Sequence, residues 1–233
     1  MKKSIKGADG FSLIELLVAA LIFTVVAGGI FSVLMGSQMR YQSDSGLTTV
    51  FQQANLAMDQ ITRDIHSAGY PAASSFSSGT SSDYYALPFA WSPGYPAAPL
   101  CMTGSSGTCA IPGEYDLILE ADQGNGNGVQ WIRYSLVGTT LKRIVAPKSG
   151  SDPITPTDPT TAPPYLENVI NGATPVFSYS PDPSVPLGQA YSPLNIREVN
   201  VCLIVQSARP DPQTGQLRKI TVTGQAVRFN PNQ

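Results

Sequence analysis

The sequence predicts an α+β protein in which one long N-terminal helix packs on an antiparallel β-sheet with long loops. Three observations predict this fold class: an apolar run near the N-terminus, an amphipathic stretch of helical period directly after it, and alternating strand-like runs separated by turn residues. The chain has 233 residues, with 21 glycines and 20 prolines. This leaves room for one core beside the helix and predicts many turns.

The first predicted element is a transmembrane helix over residues 11–35. This segment holds one charged side chain, Glu15, near its start. A helix rises about 1.5 Å per residue and a hydrocarbon core is about 30 Å thick, so roughly 20 apolar residues are enough to span it. A carboxylate inside such a segment costs about 2.5–3.5 kcal/mol and is kept where a specific partner or function holds it. Glu15 is therefore the first candidate functional residue.

The string Gly10-Phe-Ser-Leu-Ile-Glu15 follows a short leader that contains three lysines. It closely resembles the processing signal of type IV prepilins and type II secretion pseudopilins. The resemblance implies that a prepilin peptidase cleaves after Gly10 and methylates the new N-terminal residue, Phe11. It also implies that Glu15 pairs with the N-terminal amine of a neighbouring subunit, and such a pair offsets part of the desolvation of both groups when the geometry is good.

The apolar run is also compatible with two simpler roles. An ordinary secretory signal could be cleaved after Val25-Val26-Ala27, and a plain membrane anchor would need no assembly role. The acidic Glu15 and the apolar residues beyond Ala27 argue against the first, and neither role accounts for the motif. The leader lysines favour a cytoplasmic N-terminus in the inner membrane, with the rest of the chain in the periplasm and later in a filament.

The next predicted element is an amphipathic helix that continues the first. Its apolar residues recur at spacings of three and four: Leu47, Phe51, Ala54, Met58, Ile61, Ile65 and Ala68. Asp64 and its polar neighbours are assigned to the opposite face. Gly69 and Pro71 end the helix. Gly28, Gly29 and Gly36 either loosen the helix or let neighbouring subunits approach closely.

The string from Met58 to Tyr70 resembles the end of the long helix in PilW-type minor pilins and J-type minor pseudopilins. The expected division is a leader over residues 1–10, a helix over 11–69 and a periplasmic β-rich domain over 70–233. Within the helix, 11–35 is the transmembrane part and 36–69 the amphipathic part. His66, the single histidine, is expected to be a solvated cap near the helix end.

Residues 71–112 are rich in serine, glycine, proline and aromatic side chains and show no sustained period. They predict a long loop, which either offers a contact surface or packs its aromatic rings over the sheet. Cys101 and Cys109 enclose a short flexible stretch, so an oxidising compartment favours a disulfide between them. Cys202 lies in a strand-like run and is expected to be a buried free thiol.

Six strand-like runs follow: 115–120, 129–136, 140–145, 174–179, 196–205 and 217–229. The first three predict an antiparallel meander and the last two a hairpin, with a polar surface connector over 150–164. Asp116, Glu120 and Asp122 alternate along the first strand and are expected to form a solvated face. In the turn that begins at Asp122, the oxygens of Asp122, Asn125 and Asn127 suggest a calcium site, but glycines stand at the third and fifth places of the ligand pattern, so a plain glycine-rich turn is favoured over calcium.

The sequence carries no motif of a known catalytic class. It has no Gly-x-Ser-x-Gly, Walker-type or dinucleotide-binding signature, and one histidine leaves no Ser-His-Asp set. It also has no Cys-x-x-Cys for zinc. The net charge of −2 comes with no basic stripe, which argues against nucleic acid as a partner. We therefore expect that the protein is not an enzyme and that it binds no cofactor and no metal.

The expected function is that of a minor pilin in the initiation and assembly of a type IV pilus. The resemblance implies other pilin or pseudopilin subunits, prepilin peptidase, an inner-membrane assembly platform and, before assembly, membrane lipid as partners. A J-like minor pseudopilin of type II secretion is the alternative within the class. A membrane-tethered binding protein or adhesin that never assembles is the alternative outside it.

Overall fold

The computed structural model describes residues 12–90, 113–150, 152–181, 183 and 196–229. In these parts of the chain, one long helix is followed by seven strands: α1 Leu13–Ser67, β1 Asp116–Asp122, β2 Val129–Val137, β3 Thr140–Pro147, β4 Pro164–Leu166, β5 Phe177–Pro181, β6 Ile196–Gln206 and β7 Lys219–Val227. Two short 3-10 turns, Ala73–Ser75 and Ser82–Tyr84, lie between α1 and β1. The predicted α+β class, with a long helix and antiparallel sheets, is confirmed.

The helix α1 runs for 55 residues without a break, which corresponds to about 80 Å. It continues through Gly28, Gly29 and Gly36. At its end the N–H of Ala68 bonds to the carbonyl of Ile65, and Gly69 then takes a φ of 84°. The left-handed region is open to glycine without a steric penalty, so the helix ends where the sequence predicts.

The two halves of α1 have different surroundings. Every described residue up to Gln42 is exposed, and we call residues 13–42 the exposed half. Residues 43–67, the packed half, bury one stripe against the sheets: Ser43, Val50, Ala54, Ala57, Met58, Ile61, Asp64 and Ile65. The predicted stripe is wrong at Phe51, which is 43% exposed, because Val50 takes the buried position.

The strands form two antiparallel sheets instead of the single predicted one. The first sheet has the order β1-β2-β3-β4 and contains the predicted meander, and the second has the order β5-β6-β7 and contains the predicted hairpin. Between β4 and β5 the chain contacts both sheets. The N–H of Val169 bonds to the carbonyl of Thr139, just before β3. The side chain of Asn171 accepts the N–H of Ile204 in β6 at 2.9 Å and donates to the carbonyl of Cys202 at 2.8 Å. The packed half of α1 and the inner faces of both sheets enclose one core.

The outer face of the first sheet is covered, so the predicted solvated acidic face is wrong. Glu120 is fully buried and lies 2.6 Å from the ammonium of Lys148. Its carboxylate also accepts the N–H of Leu87 at 2.7 Å and the indole N–H of Trp131 at 3.0 Å. Residues 71–90 thus lie over this face, because the buried pair satisfies polar groups of their backbone.

A second ion pair holds another loop on the same face. The guanidinium of Arg133 binds both carboxylate oxygens of Asp116, at 2.8 and 2.6 Å. Its third nitrogen donates to the carbonyl of Thr157 at 3.1 Å. Thr157 is itself fully buried and donates its hydroxyl to the carbonyl of Pro153. The predicted surface connector 150–164 is therefore tied to the sheet at its centre.

Candidate assembly site

The first turn of α1 is closed by a reciprocal pair of hydrogen bonds. The side chain of Ser12 accepts the N–H of Ile14 at 3.4 Å, and the carboxylate of Glu15 accepts the N–H of Ser12 at 3.1 Å. Such a capping box satisfies N–H groups that have no partner within the helix. Within the described chain, Glu15 therefore has its own helix terminus as its only hydrogen-bond partner.

Glu15 is followed by a continuous apolar surface. The exposed half is long and apolar enough to cross a membrane, with a mean hydropathy of 2.5 over its best window and none of that window buried. Its large side chains include Leu13, Phe23 and Val33, each at least 73% exposed. Soluble monomers rarely leave so large an apolar surface in water. This half of the helix is therefore built for lipid or for other helices.

The opposite end of α1 holds a second carboxylate, which sequence reasoning placed on the surface. Asp64 is buried, with 3% of its side chain exposed. One oxygen accepts from Gln60 and Gln123 at 2.8 and 2.9 Å. The other accepts from the hydroxyl of Tyr134 at 2.6 Å and from the guanidinium of Arg143 at 2.9 Å. We call these five residues the polar cluster.

The polar cluster fixes the charge states of its members. Burial, and then repulsion from Asp64, raises the pKa of Tyr134 above its ordinary value, so the hydroxyl stays protonated and donates. Burial opposes the charge of Arg143, but attraction to Tyr134 and Asp64 outweighs it and raises the pKa of Arg143. The carboxylate therefore receives four donors and one opposite charge. This arrangement joins α1 to β2 and β3 of the first sheet.

The position of Asp64 in the sequence predicts that it is buried, although aspartate side chains are usually exposed. Asp64 lies three residues after Ile61 and four before Ala68, which is the spacing of the apolar stripe itself. Position therefore favours the buried face, while residue type favours water. Position prevails because Arg143 and Tyr134, distant in sequence, supply the charge and the hydrogen bond that a buried carboxylate needs. The residues near Asp64 in the sequence do not predict these partners.

Several predicted site residues lie outside the described residues: Gly10, Phe11, Cys101 and Cys109. The cleavage site, the methylation and the disulfide therefore stay predictions. Cys202 is described and is free, but it is only half-buried on β6, and burial raises the pKa of its thiol.

The predicted cap residue and the glycine-rich turn are both described. His66 is half-buried, with its ring 4.4 Å from that of Phe229, and is not a solvated cap. In the turn after β1, the oxygens of Asp122 and Asn125 accept the N–H groups of Gly124 and Asn127. Within the described residues, no group of three or more histidine, cysteine or acidic side chains is placed to hold a metal.

Comparison with known proteins adds one finding. Residues 5–35 match the family model described as the prokaryotic N-terminal methylation motif, which marks prepilin-type proteins. No curated protein and no solved structure matches the chain. Proteins with this motif are structural subunits that prepilin peptidase processes and that assemble with other pilin subunits. The motif supports a type IV pilin-like or pseudopilin-like protein, and the exposed half of α1 fits a membrane anchor.

Proposed function

We propose that the protein is a minor pilin that takes part in the initiation and assembly of a type IV pilus. In this proposal prepilin peptidase cleaves after Gly10 and methylates Phe11, and the anchor then leaves the inner membrane for the filament. The observation that carries the proposal is Glu15. It lies in an apolar half-helix whose described residues are all exposed, and the N–H of Ser12 is its one hydrogen-bond partner in the described chain.

The physical reason is the cost of a carboxylate in lipid. One hydrogen bond from the helix terminus leaves the charge of Glu15 without an opposite charge, and a charge kept in an apolar setting needs one. Cleavage before Phe11 creates an amine a short distance from the same helix terminus. When anchors pack side by side, the amine of one subunit and Glu15 of the next neutralise each other, so assembly removes a cost that the isolated subunit carries.

The size of the body supports a minor role. We propose that residues 70–233 form one bulky domain, in which residues 71–90 and the proline-rich connector 150–164 lie over the outer face of the first sheet. Such a body repeated along a whole fibre would crowd its surface, so we propose a low copy number, as in PilW-type minor pilins. The body is proposed to be periplasmic before assembly, with the assembly platform and lipid as partners of the anchor.

The processing part of the proposal is tested by the intact mass of the chain recovered from cells. The expected mass is that of a polypeptide that begins at methylated Phe11 and lacks two hydrogens because Cys101 and Cys109 are joined. A mass that retains residues 1–10 in chains recovered from fibres would overturn the processing proposal. A mass with all thiols reduced would overturn only the disulfide.

The assembly part is tested by Glu15→Ala, with Thr24→Ala as the matched control. Thr24 lies in the same exposed half, and its hydroxyl bonds only to the carbonyl of Leu21 one turn earlier. We expect Glu15→Ala to stay in the membrane fraction while its amount in sheared pili falls at least about tenfold, the equivalent of about 1.4 kcal/mol. Thr24→Ala should assemble normally. Equal amounts of both variants in pili would contradict the proposal.

A further inference from the structure

The outer edge of β7 is a long row of backbone groups that have no partner in the described parts of the chain. β7 pairs with β6 through nine residue pairs without a register shift. The N–H of Arg228 bonds to the carbonyl of Arg197, and the N–H of Ser207 bonds to that of Arg218. The backbone N–H and C=O groups of the even-numbered residues of β7 therefore point towards β6. The odd-numbered residues point their N–H and C=O groups away, and none of them has a hydrogen bond on that side in the described chain: Lys219, Thr221, Thr223, Gln225 and Val227.

The other sheet edges are covered or blunted. Along β1, the N–H of Ala90 bonds to the carbonyl of Ile118, and Phe89 forms a bridge with Leu119. β4 has only three residues and begins with a proline. β5 has a register shift at Pro181, and near its start the N–H of Phe177 bonds to the carbonyl of Glu114. Proline, shifts, short length and covering segments are the usual protections of an edge.

β7 has none of these protections among the residues that the structure describes. It holds nine residues, no proline and no register shift, and its single charged residue, Lys219, stands at one end. The middle of the edge consists of Thr221, Thr223 and Gln225, which suit an extended backbone and repel no partner. An edge of this kind is a template for the addition of a strand from another chain.

The outer face of the second sheet adds a side-chain contact beside this edge. A recess of about 390 Å³ lies over residues of all three strands, most of them uncharged and polar or small: Ser178, Asn200, Val201, Cys202, Thr223, Gly224 and Gln225. Alternate side chains of an added strand point to this face. One side chain of the strand next to Thr223 can therefore reach the recess, while the backbone supplies the hydrogen bonds.

We propose that the edge of β7 binds an extended strand of a neighbouring, different filament subunit, with an acidic residue of that strand beside Lys219. This inference rests on the proposed function. A second copy of the chain is the less suitable occupant, because the proposed low copy number makes two adjacent copies rare and because two identical edges paired about a twofold axis form a closed dimer. A strand from a different subunit leaves the assembly open.

Amide hydrogen exchange tests the proposal without a substitution. The full-length mature chain is compared in detergent micelles and in purified pili. The amides of Thr221, Thr223 and Gln225 should exchange quickly in micelles and at least about tenfold more slowly in pili, while Val222, already bonded to β6, should change little. Fast exchange at all three in pili overturns the edge proposal. Protection that appears in micelles as protein concentration rises assigns the edge to a second copy and also overturns it.

The pair Thr223→Pro and Thr223→Val separates the backbone from the side chain. Proline removes an N–H that points away from β6, and edge strands tolerate proline at such a position. Thr223→Pro should lower incorporation into pili by about fivefold or more, whereas Thr223→Val, which keeps the N–H and changes only one side chain of the recess, should lower it by less than about twofold. The urea midpoint of each variant verifies that the body folds. Normal incorporation of a folded Thr223→Pro overturns the edge proposal, whereas absence of the unsubstituted chain from pili overturns the assembly function itself.

Discussion

The two halves of α1 each carry one carboxylate in an apolar stripe and treat it in opposite ways. Asp64, in the packed half, is surrounded by four donors from the same chain. Glu15, in the exposed half, accepts one N–H from its own helix terminus. The carboxylate of Asp64 finds its donors and its opposite charge on distant elements of the same chain, so it stabilises the fold. The carboxylate of Glu15 has no opposite charge in the described chain, so it is available to pair with another subunit.

Asp64→Ala should have the largest effect on stability. It leaves the guanidinium of Arg143 and the hydroxyl of Tyr134 without their acceptor, and loss of one partner of a buried pair costs about 3–5 kcal/mol. We expect the lower end of this range, because 19% of the Arg143 side chain still reaches water. The measurement is the urea unfolding of the body in micelles. Asp59→Ala, an exposed carboxylate on the same helix, should change stability by less than about 0.5 kcal/mol. Equal effects would contradict the comparison.

Gly224→Ala should have the next largest effect. A Cβ at Gly224 would lie 2.5 Å from the sulfur of Met58, so the packed half of α1 would have to shift or Met58 would have to change rotamer. Such overpacking costs about 1–3 kcal/mol. Gly28→Ala is the control from the exposed half, where an added Cβ meets nothing within 4 Å. It should be neutral or stabilising, since alanine favours a helix by about 1 kcal/mol. The measurement is the thermal unfolding midpoint of both variants. A lower midpoint for Gly28→Ala would contradict the difference between the packed and the exposed half of α1.

The Tyr134 hydroxyl should make the body sensitive to alkali. Its pKa is raised above 10.0, chiefly by burial, so above pH 10 the folded state keeps a proton that the unfolded state loses. Stability therefore falls as pH rises, by about 1.4 kcal/mol per pH unit for one such group. Tyr134→Phe should flatten the slope by that amount in urea midpoints measured from pH 8 upward. Tyr84→Phe, at an exposed site, should not.

Another buried group acts in the opposite sense over the same range of pH. Burial lowers the pKa of Arg228 to about 10, so the folded state releases this proton before the unfolded state does. Because the Tyr134→Phe variant keeps Arg228, the difference between the two slopes isolates the tyrosine. Identical slopes would show that Tyr134 does not hold its proton in the fold.

Glu15→Ala should have the smallest effect on stability. The carboxylate contacts only the first turn of α1, far along the helix from the body, so the urea midpoint of the body should move by less than about 0.5 kcal/mol. This result, beside a loss of assembly, would assign the two carboxylates to two different tasks. A large loss of stability would instead place Glu15 within the folding unit.

Local periodicity predicted the helix, its end, the meander and the hairpin, because each depends on residues close in sequence. It also singled out Glu15 by its position in an apolar run, and the role of Glu15 in assembly stays a prediction. It failed where the outcome depends on what covers a surface. Glu120 alternates with apolar residues as an exposed strand residue would, yet residues 71–90 cover it and Lys148 pairs with it. The period of a strand assigns a residue to a face and does not state what lies over that face.

The continuity of α1 has a mechanical consequence. The exposed half joins the packed half without a hinge, and the first tie to the body is the ion pair between Asp44 and Arg218 at 2.7 Å. A force along the helix axis then acts on this ion pair and on the buried contacts from Val50 to Ala68 at the same time. Contacts that share a force resist it better than contacts that break one after another. In the proposed transfer from the bilayer to a filament, the exposed half and the body should therefore move together.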